Sequence, residues 1–132
     1  QDLRFLAGEG PKLSPRLLDA TLDQLVPAPE RLSPVYETVR QVAAALDPAV
    51  TFLGFAGSPW TVATYMVAGE GSREQAEARR FAYADPSAFG ALIAAIEAAT
   101  LDYLTGQIKA GVHAVQLFDS WAGSLSPAQY EA

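Results

Sequence analysis

With 132 residues, 50% of them hydrophobic and 18% charged, the chain is long enough for one domain with a real core and too apolar for a disordered acidic tail. Its 9 Lys and Arg stand against 15 Asp and Glu, and a net charge of −6 makes nucleic acid a poor partner, because phosphate binding draws on a surplus of basic residues. Zero cysteines exclude disulfides, thiolate metal sites and cysteine nucleophiles, and no apolar run approaches the roughly 18 residues that a membrane span needs.

The chain opens on Gln1-Asp2-Leu3-Arg4, with no basic stretch leading into an apolar one, so a cytoplasmic location is expected. Asp2 to Leu6 and Pro11 to Leu13, separated by Gly8-Glu9-Gly10, predict a small hairpin, Arg16 to Leu25 a short helix, and Pro27-Ala28-Pro29 a linker. Several helix starts then share one pattern, a capping Ser or Asp followed by Pro: Ser33-Pro34, Ser58-Pro59, Asp85-Pro86 and Ser126-Pro127. After Ser33 the residues Val35, Val39, Val42 and Leu46 fall at helical spacing, and Asp47-Pro48 ends the helix. Val50 to Phe55 predicts a strand apolar enough to be buried on both faces. A helix from Ser58-Pro59 runs to Gly69-Glu70-Gly71, which predicts a mobile turn. Ser72 and Gln75 form a capping-box pattern for a helix over Arg73 to Ala84. From Pro86 a long helix carries Phe89, Ile93, Ile96, Thr100, Tyr103 and Ile108 on one stripe and stops at Gly111. His113 to Phe118 predicts a second core strand.

Helix, strand, helices, strand and a fresh helix start give the rhythm of a parallel α/β sheet. Two core strands do not complete such a sheet, and a closed eight-stranded barrel takes about 250 residues. The chain is therefore expected to be one partial domain, 1–132, internal to a larger one.

Chemistry in an α/β protein gathers at strand-to-helix junctions, and two are present: Gly54 to Met66 and Phe118 to Gly123. In the first, the helix N-terminus at Ser58-Pro59 suits a carboxylate or phosphate, with Gly57 allowing close approach, or is simply a well-capped turn. Tyr65, about two turns into that helix, either faces the core or reaches the strand end. In the second, Ser120 either donates to a substrate oxygen or caps local backbone, and Asp119 is either a base or a turn residue bonding its own backbone. His113 opens a strand away from the expected site face and reads as a surface or satisfied histidine. No His or carboxylate set has metal-ligand spacing, and the glycines match neither phosphate-loop pattern.

Together, Gly54-Phe55-Ala56-Gly57-Ser58-Pro59-Trp60-Thr61, Thr64-Tyr65-Met66-Val67, Gly69-Glu70-Gly71-Ser72 and Ala114 to Gly123 resemble the uroporphyrinogen decarboxylases of bacterial type. Asp2-Leu3-Arg4-Phe5 and Gly8-Glu9-Gly10-Pro11 extend the resemblance over essentially the whole chain. It implies the central portion of a cofactor-free (β/α)8 TIM barrel, incomplete in this chain, from a homodimeric enzyme. That enzyme removes the acetate carboxyl groups of uroporphyrinogen, a tetrapyrrole, to give coproporphyrinogen. By resemblance Tyr65 is the active-site tyrosine, Ser120 a substrate-binding hydroxyl, and Phe55 and Phe118 apolar walls of the cleft; no metal or cofactor is implied. The family's arginine-rich N-terminal segment, its aspartate facing the pyrrole N–H groups and its late histidine have no counterpart here, so the 132 residues alone are expected to be inactive. Ser58 stands where alanine is more usual, and Val112-His113 where the family often has Ala-Gln. The competing expectations are a corrinoid or thiol methyltransferase of the same barrel superfamily, which the lack of cysteine weakens, and a non-catalytic structural module whose open strand edges promote self-association.

Overall fold

The computed structural model describes residues 1–5, 10–19, 22, 25–72 and 74–131. The expected hairpin is present as β1 (Asp2–Phe5) and β2 (Pro11–Ser14), antiparallel, with Asp2 opposite Ser14 and Phe5 opposite Pro11. Leu6, Gly8 and Glu9 of that expectation lie outside the described residues. Of the helix expected over 16–25, a 3-10 turn is present at Leu17–Asp19, while 20, 21, 23 and 24 lie outside the described residues.

The linker expectation fails at Pro29, where a 3-10 turn, Pro29–Leu32, runs straight into α1 (Ser33–Ala45). Ser33 is therefore already helical and does not cap α1; its hydroxyl donates to the Glu30 carbonyl at 2.8 Å. The next strand, β3 (Leu53–Gly57), starts later than expected because Val50 belongs to a turn. Asp47 holds that turn, accepting the Val50 N–H on its carbonyl at 2.9 Å and the Ala49 N–H on its carboxylate at 2.8 Å.

Four helices follow: α2 (Pro59–Ala68), α3 (Ala76–Ala84), α4 (Pro86–Ala110) and, beyond the last strand, α5 (Pro127–Tyr130). The start of α3 corrects two expectations. Gln75 takes a left-handed conformation, φ 52°, so the helix begins at Ala76 and not at Arg73, itself outside the described residues. Ser72 and Gln75 do pair, but through the Gln75 side-chain amide donating to the Ser72 carbonyl, not as a capping box. Asp85 caps α4 as expected, accepting the Ala88 N–H at 2.9 Å, and Ser126 with Gln129 forms a full capping box on α5.

The long helix α4 is the spine. Phe89, Leu92, Ile93, Ile96, Thr100 and Tyr103 follow one face, and at its end the buried positions are Gln107 and Ala110. Ile108, expected on that stripe, is exposed; the 3.6-residue period lands on Gln107 instead. An 18-residue window of α4 has mean hydropathy 1.3, so by length and composition it is apolar enough to cross a membrane, contrary to the sequence expectation. It packs against α1, α2, α3 and β3 along one stripe, and 17% of that window is buried. One cluster joins Leu17, Trp60, Ala63, Val67, Ala78, Leu92 and Ile96; a second joins Val39, Ala110 and Val112. Each large apolar side chain so buried contributes about 1.5–3 kcal/mol.

The last strand, β4 (Ala114–Phe118), lies parallel to β3, with Leu53 opposite Ala114 and Gly57 opposite Phe118. His113 is satisfied as expected: its Nδ1 accepts the Phe52 N–H at 2.9 Å, while its main-chain N–H donates to the Phe52 carbonyl at 2.8 Å. Burial on both faces is not observed. Gly54 and Ala56 are buried on the side where α4 packs, whereas Leu53 and Phe55 are exposed on the other, and β4 is exposed along its length. The described residues thus form a two-stranded parallel sheet rather than a closed barrel, with an open apolar face.

Candidate active site

Parallel pairing of β3 and β4 brings their C-terminal ends side by side, and with them the two loops singled out from sequence. The ladder continues one step past the strands, as the Ser58 N–H donates to the Phe118 carbonyl at 2.8 Å. Ser58 is the N-cap of α2 by its extended backbone, yet its hydroxyl does not cap; it donates to Asp119 Oδ2 at 3.1 Å. The Thr61 hydroxyl donates to Asp119 Oδ1 at 2.7 Å and accepts the Trp121 N–H at 3.3 Å. Trp60 completes the stitching through its indole N–H, which donates to the Trp121 carbonyl at 3.0 Å.

The carboxylate that the start of α2 was expected to attract is thus the protein's own, Asp119, well placed for the positive end of the helix dipole. Its side chain bonds across the junction and not to its own turn. Gly57 serves packing: a Cβ there would stand 2.9 Å from Val62 Cγ2.

Phe55 and Phe118 lie together on the open sheet face, ring centroids 5.8 Å apart and edge to face at 76°, and remain 61% and 51% exposed. The Phe55 main chain is gripped from α4, where Gln107 Nε2 donates to its carbonyl at 2.9 Å and Gln107 Oε1 accepts its N–H at 3.0 Å. A side chain at Gly54 would meet that same Oε1 at 2.5 Å, which explains glycine in mid-strand.

Tyr65 is half-buried on α2, its hydroxyl facing Gly71 and free of hydrogen bonds among the described residues. The turn it faces, expected to be mobile, is tied to the hairpin. Gly69 caps α2 with φ 79°, its N–H donating to the Tyr65 carbonyl at 2.7 Å and its carbonyl accepting the Leu13 N–H at 2.6 Å, and Glu70 pairs with Lys12 at 3.1 Å. Ser120 is exposed on the wall of a cavity of about 370 Å³, with Glu74, Arg79, Trp121, Gly123 and Ser124. Tyr65 does not line that cavity. Among the described residues no cluster of three or more His, Asp or Glu is placed to hold a metal ion.

Sequence reading missed the Asp119 bridge and Gln107. The first was legible in part, since two hydroxyls after one strand and a carboxylate after its parallel neighbour are close once the strands pair.

A parallel βαβ arrangement, with hydrogen-bonded loops at the carboxyl ends of its strands and an open aromatic face, defines a segment of an α/β protein. Comparison with known proteins makes the class specific. The chain belongs to the uroporphyrinogen decarboxylase family, whose model matches residues 1–132. It is 66% identical over 131 residues to the uroporphyrinogen decarboxylase of Novosphingobium aromaticivorans, 70% to that of Rhizorhabdus wittichii and 69% to that of Sphingopyxis alaskensis. Each match covers 99% of this chain, which spans 38% of the relative's length.

Proposed function

We propose that this chain is a central portion of a (β/α)8 barrel and supplies part of the substrate cleft of a cytoplasmic, homodimeric uroporphyrinogen decarboxylase. The observation that carries the reading is a family match over residues 1–132, combined with two parallel strand ends that meet beside an exposed aromatic face. In the proposed reaction a pyrrole ring accepts a proton and withdraws electrons from the bond to the acetate carboxylate. That bond breaks to release CO2, a proton adds to the remaining carbon to leave a methyl group, and the ring gives up the proton that it had accepted; four acetate arms react in turn. No cofactor is invoked.

Phe55 and Phe118 form an apolar wall that keeps water from the charge movement, Ser120 donates to a substrate oxygen, and the Tyr65 phenol, which makes no hydrogen bond to the described residues, serves the reacting ring. Asp119 has a supporting role, holding the two loops in register through Ser58 and Thr61.

The test is decarboxylation of uroporphyrinogen by the complete protein that carries this segment. Tyr65→Phe and Ser120→Ala each lower kcat/KM by about tenfold or more. Wild-type rates in both refute their assigned roles. The 132 residues alone form no coproporphyrinogen on this reading, and detectable product from them overturns it.

A further inference from the structure

Ser120 stands at the corner of a turn. The Ala122 N–H donates to the Asp119 carbonyl at 3.2 Å and closes residues 119–122, and Trp121, with φ −109° and ψ 4°, has the conformation of the third position of a type I turn. That one bond leaves the Trp121 N–H without a partner inside the turn. Ser120 is exposed on the corner, and its hydroxyl makes no hydrogen bond to the described residues.

Both neighbours of Ser120 are held by one side chain. The Thr61 hydroxyl donates to Asp119 Oδ1 at 2.7 Å and accepts the Trp121 N–H at 3.3 Å. A hydroxyl can do both, because it has one proton to give and lone pairs to receive. The two bonds run in one direction, from the Trp121 amide through Thr61 Oγ1 to a carboxylate, so the charged end strengthens the chain. Ser58 reaches only the Asp119 carboxylate, and Trp60 only the Trp121 carbonyl, which also accepts from the Ser124 N–H and hydroxyl. Among the described residues Thr61 alone bonds on both sides of Ser120.

The local sequence leaves that hydroxyl free for the task. Back-bonding within α2 is done by Thr64, whose hydroxyl donates to the Thr61 carbonyl at 2.7 Å, and the branched Cβ of Thr61 restricts its χ1. Thr61 and Tyr65 lie four residues apart on α2 and share one face of it. The turn that carries Ser120 is therefore docked on the helix face that carries Tyr65.

We propose that Thr61 is a positioning residue, whose hydroxyl fixes the direction in which Ser120 presents its own and the spacing between Ser120 and Tyr65; this rests on the reading of Ser120 as a donor to a substrate oxygen. A contact of that kind is made in the bound ground state as well as in the transition state, so its loss shows in KM and not in kcat.

The test uses the complete protein that carries this segment. Thr61→Val keeps the shape and deletes both bonds, and KM for uroporphyrinogen rises about fivefold while kcat stays within about twofold. Thr61→Ser, which keeps the hydroxyl, returns KM to within about twofold of wild type. With Ser120→Ala already present, Thr61→Val raises KM by less than about twofold, because the group it aims is gone. A merely structural role gives a different pattern: fewer active molecules lower the apparent kcat at unchanged KM, by the same factor in both backgrounds. That pattern overturns the proposal, as does a Thr61→Ser enzyme as weak as Thr61→Val. Thr61→Ala carries the same expectations where Thr61→Val yields no folded protein.

Amide hydrogen exchange in the complete protein separates this proposal from the reading beneath it. The Trp121 amide exchanges about tenfold faster in Thr61→Val, while the His113 amide, bonded to the Phe52 carbonyl, keeps its rate. An unchanged Trp121 rate overturns the proposal whatever the activity. A faster Trp121 rate in a protein whose wild type forms no coproporphyrinogen keeps Thr61 as the holder of Ser120 and sinks the enzyme reading alone.

Discussion

Replacing Gln107 tests how Phe55, proposed above as a wall of the cleft, is held. The side chain is 4% exposed and makes two hydrogen bonds to one residue's main chain, at 2.9 and 3.0 Å. In a parallel ladder alternate residues bond a given neighbour. Phe52 and Ser58 bond toward β4, through His113 and Phe118, so Phe55 faces away from it and the Gln107 amide stands where another strand's peptide group would. Gln107→Leu keeps the bulk and deletes both bonds. At about 0.5–1.5 kcal/mol each, the expected loss is about 1–3 kcal/mol. In urea, with a slope of about 1–3 kcal/mol per molar, the midpoint falls by about 1 M.

Gln107→Glu gives a sharper sign. Its acceptor still serves the Phe55 N–H, but the other oxygen, when ionised, faces the Phe55 carbonyl. Burial and that carbonyl raise the folded pKa above the unfolded value of about 4.3. With a raised folded pKa, stability is fully present below the unfolded value and is lost as pH rises through the folded one. The penalty relative to wild type therefore shrinks as pH falls from about 7.5 to about 5. Gly54→Ala displaces the same amide, since its Cβ would lie 2.5 Å from Oε1, so its cost falls when combined with Gln107→Leu. A Gln107→Leu variant within about 0.5 kcal/mol of wild type, or additive behaviour with Gly54→Ala, refutes the reasoning.

Three further outcomes follow from other parts of the molecule. Asp119→Ala strands the half-buried Ser58 and Thr61 hydroxyls and lowers stability by about 1–3 kcal/mol, whereas Asp119→Asn, which keeps an acceptor, costs less; denaturant midpoints compare the two. Tyr103 has its pKa raised above 10.0, by burial and then by the neighbouring Tyr36. The unfolded phenol therefore ionises first, stability present below that value is lost as pH rises, and Tyr103→Phe flattens the alkaline limb of the melting temperature; parallel profiles would count against it. The exposed apolar β4 with an open edge promotes pairing between chains, so light scattering shows concentration-dependent association. A clean monomer at high concentration contradicts that.

Much of the order of elements was legible because local signals were strong. Asp85-Pro86 and Ser126-Pro127 cap as written, since the bonds they need lie within three residues. Ser33 and Ser58 carry the same signal and make no side-chain cap, because a preceding 3-10 turn takes Ser33 into the helix and Asp119, distant in sequence, takes the Ser58 hydroxyl. Burial was less legible: an apolar run such as Leu53 to Phe55 does not say whether a second layer exists to cover it, and here one face stays open. Gln107 was invisible for a related reason. A polar residue on an apolar stripe reads as a defect until the main chain it serves is known.

The first junction looked suited to an external anion because it begins a helix after a small residue. Geometry reassigns that role. The Asp119 carboxylate bonds the hydroxyls of Ser58 and Thr61, and the Gly57 space belongs to Val62. A ligand carboxylate approaching the same helix start would meet a like charge. The α2 junction therefore fixes how the two loops stand against each other, through a carboxylate that the chain itself supplies.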